Sequence, residues 1–468
     1  MPLLVSGEMI LSISGPMEVL GVEIFQYVYC RIMIIFARFY LMLKYYMEKK
    51  LYPLKFVPVP SVRPWGGNAL VNDLGKSFVE CDDEGNETVL GADVRIGESW
   101  ELADMGKEDS VVADGWLAGN TISELMETYL ERIVGEQVYN YYGRQFPVLI
   151  KYLDINDKLS VQVHPDDEVA AERYDSLGKA EIWYVMDAKP GAKMYCGFTR
   201  DVTAQEFYDR CKNGTVDEVL NVITPKAGDA IYITPGTVHA ADGGLLIAEI
   251  QESSDMTFRL YDWGREFDPD AAREIHLEEA IDLIDYRAFD FGLYRKGPLW
   301  GDEASSEPCG MCTCHCHDGH HHSDEGGVVE TLVESPQFNV TKLNLSDPLH
   351  IYTEKFDSFI IYMCVEGAAS IQVPSVTDGG EAFMDNYEFK KGETMLVPAD
   401  MPDFYLVPRD RSTQLLEVVT RPQEEVDDYI DPSTEAFLEN EDYEGLEDGA
   451  FDDDEPSPKG ASPLNFFS

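Results

Sequence analysis

Basic side chains are scarce in this chain. Its 36 Lys and Arg face 87 Asp and Glu, a net charge of −51 over 468 residues. Such a surface repels a phosphate backbone, which excludes nucleic acid as a partner held by charge alone. Cysteine is sparse too. Nine residues, mostly scattered, make no disulfide framework, and a reducing cytoplasm is the expected compartment. Long apolar runs are almost missing. The exception, 24–43, is long enough to span a bilayer. Arg31 and Arg38 interrupt it at a cost of about 2.5–3.5 kcal/mol each near a membrane centre, so a membrane anchor is not expected. Residues 1–23 lack a basic start and no small-residue cleavage site follows the apolar run, which argues against a signal peptide. Met47 opens an ordinary cytosolic sequence, and residues 1–46 are expected to be a doubtful extension with no role of their own.

Apolar material is nonetheless plentiful. The chain is 44 % hydrophobic with 25 Tyr, 22 Phe and 6 Trp, enough for a sizeable core and for two or three domains. From Leu51 onward short apolar runs alternate with Gly, Pro and Asp, the pattern of strands and turns. Three stretches carry helical spacing: 121–139, opened by a capping-box-like Thr121-x-x-Glu124; 203–220; and 269–285, opened by Pro269. Residues 301–327 are rich in Gly, Asp, Cys and His and read as a linker insert. Residues 328–420 are all short strands. The remainder, 421–468, holds 16 acidic and 2 basic side chains and reads as a disordered acidic tail.

The strand-rich part contains an echo of itself. KAGDAIYITPGTVH (226–239) and KKGETMLVPADMPD (390–403) align on Gly228 and Gly392. Upstream, KAEIWYVM (179–186) aligns with DSFIIYMC (357–364), matching Tyr184 with Tyr362. Two copies of one β-barrel unit are expected, in a mainly β protein with a few helices. The copies differ where chemistry would sit: His239 aligns with Asp403 and Glu181 with Phe359. The first copy is expected to be active and the second degenerate.

Side chains suited to a metal gather in the first copy. Gln162 and His164 are two apart in SVQVHP, and Lys179 and Glu181 two apart in GKAEIWY, so each pair shares a strand face. His239 follows a Pro235-Gly236 turn. Two imidazoles, a carboxylate and an open position suit Zn²⁺, with related divalent ions as alternatives. Read singly, His164 and His239 are each more readily taken as unrelated structural histidines, the usual role of a lone histidine.

These residues stand in segments that resemble a known family. FPVLIKYLDINDKLSVQVHPDD, GKAEIWYVMDAKPGAKMYCGF, AGDAIYITPGTVHA and EIQESSDMTFRLYDWGR are similar to the type I phosphomannose isomerases (mannose-6-phosphate isomerases), most closely to the shorter bacterial branch of that cupin family. RPWGG and GESWELAD match as well, and the resemblance covers about 52–420, interrupted by 301–327. It implies two cupin (jelly-roll) barrels: a catalytic domain at 47–300 and a second, metal-free one at 328–420. It further implies one Zn²⁺ per catalytic barrel, held by His164, Glu181 and His239 with Gln162 as a further ligand in some members. Arg259 is implied as the active-site arginine, while Asp255, Lys151 and Lys179 match other pocket positions.

The implied reaction interconverts mannose 6-phosphate and fructose 6-phosphate through a cis-enediol or enediolate. Arg259 would stabilise developing negative charge, unless it merely pairs with Asp255 or Asp262. Lys179 would sit beside Glu181 and the metal, and Lys151 is a candidate for the phosphate. The small-molecule sugar phosphate is the one partner expected. The competing reading is a non-enzymatic cupin that binds sugar phosphates, which would keep the pocket but lose a ligand or Arg259. The insert CGMCTCHCHDGHHH (309–322) departs from the family; its thiolates and imidazoles suit Zn²⁺ or Cu(I), or a solvated loop.

Overall fold

The computed structural model describes residues 49–422, apart from 82–86, 92–93, 270–271, 290–294, 297–326, 354–355 and 377–378. The expected features at 1–46, at the Cys/His insert and in the acidic tail therefore lie outside the described residues.

The first half contributes β1 (Val59–Gly67), β2 (Val79–Cys81), β3 (Glu87–Val89), β4 (Ile96–Leu102), β5 (Val148–Ile155), β6 (Val161–Val163) and β7 (Glu181–Ala188). It continues with β8 (Lys193–Phe198), β9 (Leu220–Ile223), β10 (Ala230–Ile233), β11 (His239–Asp242), β12 (Leu245–Glu252), β13 (Phe258–Tyr261) and β14 (Arg295–Lys296). They form a seven-stranded sheet in the order β1-β4-β5-β12-β7-β10-β14 and a five-stranded sheet in the order β13-β6-β11-β8-β9. The second half adds β15 (Gly327–Glu334), β16 (Asn339–Leu345), β17 (Leu349–Ile351), β18 (Ile360–Glu366), β19 (Ala368–Val376), β20 (Ala382–Lys390), β21 (Thr394–Val397), β22 (Phe404–Pro408) and β23 (Thr413–Val419). These build sheets ordered β15-β16-β23-β18-β21 and β17-β22-β19-β20. The protein is mainly β, as expected.

Strand periodicity explains why β5, β7 and β12 carry so few polar residues. Along β5, Leu153 and Ile155 face inward, joining Trp183, Val185, Ile247 and, from the opposing sheet, Met194, Cys196 and Ala241. The alternate residues Ile150 and Tyr152 face outward. There they join Ile182, Tyr184, Ala248 and Ile250 in a cluster that continues into Ile361, Leu396 and Leu415 of the second half. Strands buried on both faces read as nearly continuous apolar runs. Each buried aliphatic contributes about 1.5–3 kcal/mol, so this shared layer binds the halves together. All described residues belong to one compact unit.

The echo is real, with a register one residue away from the expected one. Gly228 N donates to Val185 O and Val185 N to Asp229 O; Gly392 N donates to Cys364 O and Cys364 N to Glu393 O. Both turns place glycine at positive φ, +93° and +82°. Ala230 pairs with Tyr184, and its counterpart Thr394 pairs with Met363. Trp183, not Tyr184, is therefore the equivalent of Tyr362, and Ile360, not Phe359, stands in the place of Glu181. A slip of one residue exchanges the two faces of a strand, so the correction changes which side chains point inward.

The helices also depart from expectation. The capping box at Thr121 and Glu124 forms, with bonds of 2.9 and 3.2 Å. Its helix, however, stops at Tyr129, and Glu131–Val134 and Glu136–Tyr142 follow as separate pieces. Docking of the second half causes the break at Gly135. A Cβ there would lie 2.3 Å from Asp357 O, and the Asp357 carboxylate accepts from Glu136 N and Gln137 N at 2.6 and 2.9 Å. The second helix covers Ala204–Asn213 and is ended by left-handed Gly214. The described part of 269–285 is not helical. Its backbone is drawn elsewhere: His276 N donates to Arg259 O at 2.7 Å. Two helices went unforeseen: the single turn Ala69–Asn72, and Asp167–Tyr174, capped by Asp166.

Candidate active site

Residues directly opposed on neighbouring strands share a sheet face. In the five-stranded sheet Gln162 opposes Arg259 on one side and His239 on the other. In the facing sheet Glu181 opposes Gln251, and Glu249 lies between Lys151 and Trp183. His164 stands one residue beyond β6. Gly236 N donates to its carbonyl at 2.9 Å, which ties the turn before His239 to the His164 backbone.

These positions converge. His239 Nε2 lies 3.1 Å from Glu181 Oε1, and His164 Nε2 lies 3.5 Å from Glu181 Oε2. One ligand atom from each of the three fits within a 4.8 Å span. Ligands bound to one Zn²⁺ at about 2.0–2.2 Å are separated by comparable distances. Both imidazoles are fixed from behind: His164 Nδ1–H donates to Met256 O and His239 Nδ1–H to Thr237 O, each at 2.9 Å. The Nε2 lone pairs are thereby turned toward Glu181, the arrangement that orients metal-ligating histidines. His164 Nε2 and both Glu181 carboxylate oxygens are buried without a hydrogen-bond partner. Orphaned acceptors of this kind are costly unless a cation completes them, so the donor set fits a divalent metal. Gln162 turns Nε2 toward His239 Nε2 at 3.1 Å; as a ligand it would present its amide oxygen instead, a rotation about a soft torsion.

The electrostatics agree. Burial, with the Lys179 charge beside it, pushes the His164 pKa well below its ordinary value, so the ring is neutral and free to ligate at pH 7. Burial opposes ionisation of Glu181, but His164, His239 and Lys179 outweigh it and hold the carboxyl below its ordinary range. Lys179 lies two residues ahead of β7, and its Nζ stands 3.7 Å from Glu181 Oε2.

Lys151 faces inward with Leu153 and Ile155, not outward at a rim. Its Nζ donates to Gln251 Oε1 at 2.7 Å, lies 3.4 Å from Glu249 and 3.9 Å from Glu98, and sits 4.9 Å from the centre of the Trp100 ring. Burial works against its charge, but Glu249 and Glu98 raise its pKa. A buried ammonium already flanked by two carboxylates is ill suited to a phosphate dianion. Asp255 is exposed and forms no ion pair with Arg259. Asp262 is engaged by Arg265 and Arg273, each at 2.6 Å. The bland alternative for Arg259 thus finds no carboxylate partner. The guanidinium donates to Glu274 O at 2.8 Å, its buried Nε has no partner, and burial together with Arg273 lowers its pKa to about 10.

Four participants escaped the sequence reading: Arg63, Glu98, Glu249 and Gln251. Glu98 accepts from Arg63 Nε and from Trp100 Nε1, both at 2.7 Å. Burial opposes its ionisation, yet Lys151 and Arg63 hold its pKa at about 2. Glu249 accepts from Trp183 Nε1 at 2.8 Å. The available signal was a carboxylate at an inward position of an otherwise apolar strand, as in GESWEL and LLIAEIQE. Its counterpart in the second half, Glu417, accepts from Tyr362 OH at the same 2.8 Å.

Comparison with known proteins agrees with this geometry. Residues 61–191 match the family model for the phosphomannose isomerase type I catalytic domain. The chain is 34 % identical over 355 residues to mannose-6-phosphate isomerase ManA of Bacillus subtilis (strain 168), covering 76 % of this chain and 95 % of that protein. It is 31 % identical to the mannose-6-phosphate isomerase of Streptococcus mutans serotype c, over 71 % of this chain and 88 % of that one. The crystal structure of the Bacillus subtilis mannose-6-phosphate isomerase superposes with a TM-score of 0.59 at 28 % identity, over 79 % of this chain and 99 % of the other. Near-complete coverage of relatives at this identity, joined to the same β architecture, makes the chain a member of the type I mannose-6-phosphate isomerase family.

Proposed function

We propose that the chain interconverts mannose 6-phosphate and fructose 6-phosphate through a cis-enediol(ate), with one Zn²⁺ held by His164, Glu181 and His239 and completed by Gln162. The observation that carries this reading is the set of buried, partnerless ligand atoms on His164 and Glu181, in a chain of this family. When bound, the metal would supply Lewis-acid polarisation of a sugar oxygen.

The protein's own groups have distinct tasks in this reading. The reaction moves a proton between C1 and C2, and its costly species is anionic. Arg259 supplies a fixed positive charge that no carboxylate has neutralised. Lys179 orders the sugar beside Glu181 and can pass protons through Nζ. Burial raises the Glu249 pKa despite the opposing Lys151 charge, so this pair can hold a proton inside the cavity. Trp100 and Trp183 flank it and keep water away. Asp255 lies outside this interior and is retained only as a rim contact to the sugar. Buried free Cys196, Cys211 and Cys364 fit the reducing cytoplasm proposed as its compartment.

A coupled assay of fructose 6-phosphate formation on the full chain tests the proposal, with zinc measured before and after chelation. Turnover, its loss on chelation and its return with zinc are expected. Full activity of metal-free protein would refute the metal's role. A zinc-loaded protein that leaves mannose 6-phosphate unchanged would refute the reaction.

A further inference from the structure

We propose that Arg63 is the specificity-determining contact for the phosphate end of the substrate, with Arg259 facing it from the other sheet; this rests on the reaction proposed above. The argument begins from charge. In a chain of net charge −51, a cation without a full complement of carboxylates is the exception. Lys151 and Lys179 are buried against Glu98, Glu249 and Glu181. Among the described residues, Arg63 and Arg259 are arginines that keep guanidinium nitrogens free of any carboxylate.

Arg63 lies on β1 and Arg259 on β13, the edge strands of the two facing sheets. β1 is bulged between Ser61 and Val62, so strand alternation does not place Arg63; its bond to Glu98, which stands opposite inward-facing Leu153, brings its guanidinium to the inward face. Arg63 commits Nε to Glu98 at 2.7 Å, leaving the two terminal nitrogens of its fork to a ligand. Its side chain remains 35 % exposed, so an incoming anion can reach it. The stem is seated: a Cβ on Gly97 would come within 2.7 Å of Arg63 Cβ and 2.9 Å of Cγ, so the bare β4 backbone makes room for it. Glu98 is held in turn by Trp100 Nε1, which makes Arg63 a preorganised group and not a loose surface arginine. The other acids felt by Arg63 are Asp255 and Glu108, neither in ion-pair contact, and the positive charge of Arg63 bears on Arg259 across the mouth. Two guanidiniums that disfavour each other are stabilised together by a dianion between them. Glu98 further links Arg63 to Lys151, so the charged end of the sugar would be read on the same network that lines the reacting end.

The test is Arg63→Gln and Arg63→Lys in the full, zinc-loaded chain. Inorganic phosphate is titrated calorimetrically, and its competitive Ki is measured beside KM and kcat for mannose 6-phosphate. In Arg63→Gln, KM and the phosphate Kd should rise together by about 10- to 100-fold while kcat moves by less than about threefold, the signature of lost ground-state binding. Arg63→Lys should fall between, because an ammonium keeps the charge but not the fork. A folded Arg63→Gln protein with wild-type phosphate affinity overturns the proposal. So does a variant that loses melting temperature and kcat alone, since Arg63 would then serve only to hold Glu98. Should Arg63→Gln fail to fold, unchanged phosphate affinity in Arg63→Lys overturns it equally. Arg63-dependent phosphate binding in a protein that does not isomerise mannose 6-phosphate would sink the reaction and leave this contact standing.

Discussion

Replacing Arg259 by lysine separates its chemistry from its architecture. The guanidinium is anchored through Nη1 to Glu274 O at 2.8 Å, while its buried Nε awaits a partner. A lysine reaches with one ammonium and cannot serve both the anchor and a ligand. Losing one preorganised charge of this kind costs about 2.7–4 kcal/mol in the transition state, so kcat should fall by about 10²–10³-fold. The surroundings add a second signature. Burial and the neighbouring Arg273 depress the Arg259 pKa from 12.5 to about 10. The same burial and neighbouring charge would lower the pKa of a lysine placed there below its own ordinary value. Residual activity of the variant should therefore decline with rising pH sooner than that of the arginine enzyme. The structural loss is one hydrogen bond to a carbonyl, about 0.5–1.5 kcal/mol, so the variant should fold and keep its zinc. Stopped-time coupled assays from pH 6 to 9, metal content and melting temperature give the three readouts. Wild-type kcat at equal metal content would refute the catalytic role. A flat pH profile would refute the electrostatic account of the site.

Three further outcomes are expected. His239→Ala or Glu181→Ala should abolish bound zinc and turnover, whereas Asp403→Ala should do neither; metal content and kcat decide it. Asp403 accepts from Thr353 N at 2.9 Å, so its replacement should lower only stability, by about 1 kcal/mol in a denaturant titration. Glu417→Gln should stabilise the protein at alkaline pH: burial raises the Glu417 pKa from 4.5 to about 7, so the native state holds this proton after the unfolded state has released it. The stability tied to that proton is complete below pH 4.5 and lost as pH rises to about 7, a difference of about 3 kcal/mol that paired melting curves at pH 4.5 and 8 would show or refute. Removing residues 423–468 should leave kcat and KM unchanged, because a segment so acidic and poor in apolar side chains has no means to complete the site; a fall beyond about tenfold would contradict this.

Much of the candidate site was legible because period-two alternation and turn chemistry are local. Gln162 with His164, Lys179 with Glu181, and His239 after Pro235-Gly236 follow from spacing and from the family resemblance, and the fold brings these side chains into one cluster. The helix starts at Thr121 and Thr203 were legible for the same reason, since a cap needs only the next three residues. The break at Gly135 was not, because Asp357, which forces it, is more than 200 residues away in the chain.

The sequence by itself determined which faces of the strands are apolar, where the turns fall and which residue types could hold a metal, since all of these depend on neighbours within a few positions. Tertiary structure alone decided how charge is shared. Lys151 looks like a free cation in FPVLIKYLDI, yet Gln251 and Glu249, about a hundred residues downstream, and Glu98, some fifty upstream, surround it. Asp262 looks like a partner for Arg259, yet Arg265 and Arg273 take both of its oxygens. The one-residue register of the second half, which sets Tyr362 against Trp183, was settled by cross-strand hydrogen bonds. An ion pair or a register is a property of two strands at once, and the energy that chooses it, the cost of burying an unpaired charge or exposing an apolar face, exists only after the strands have met.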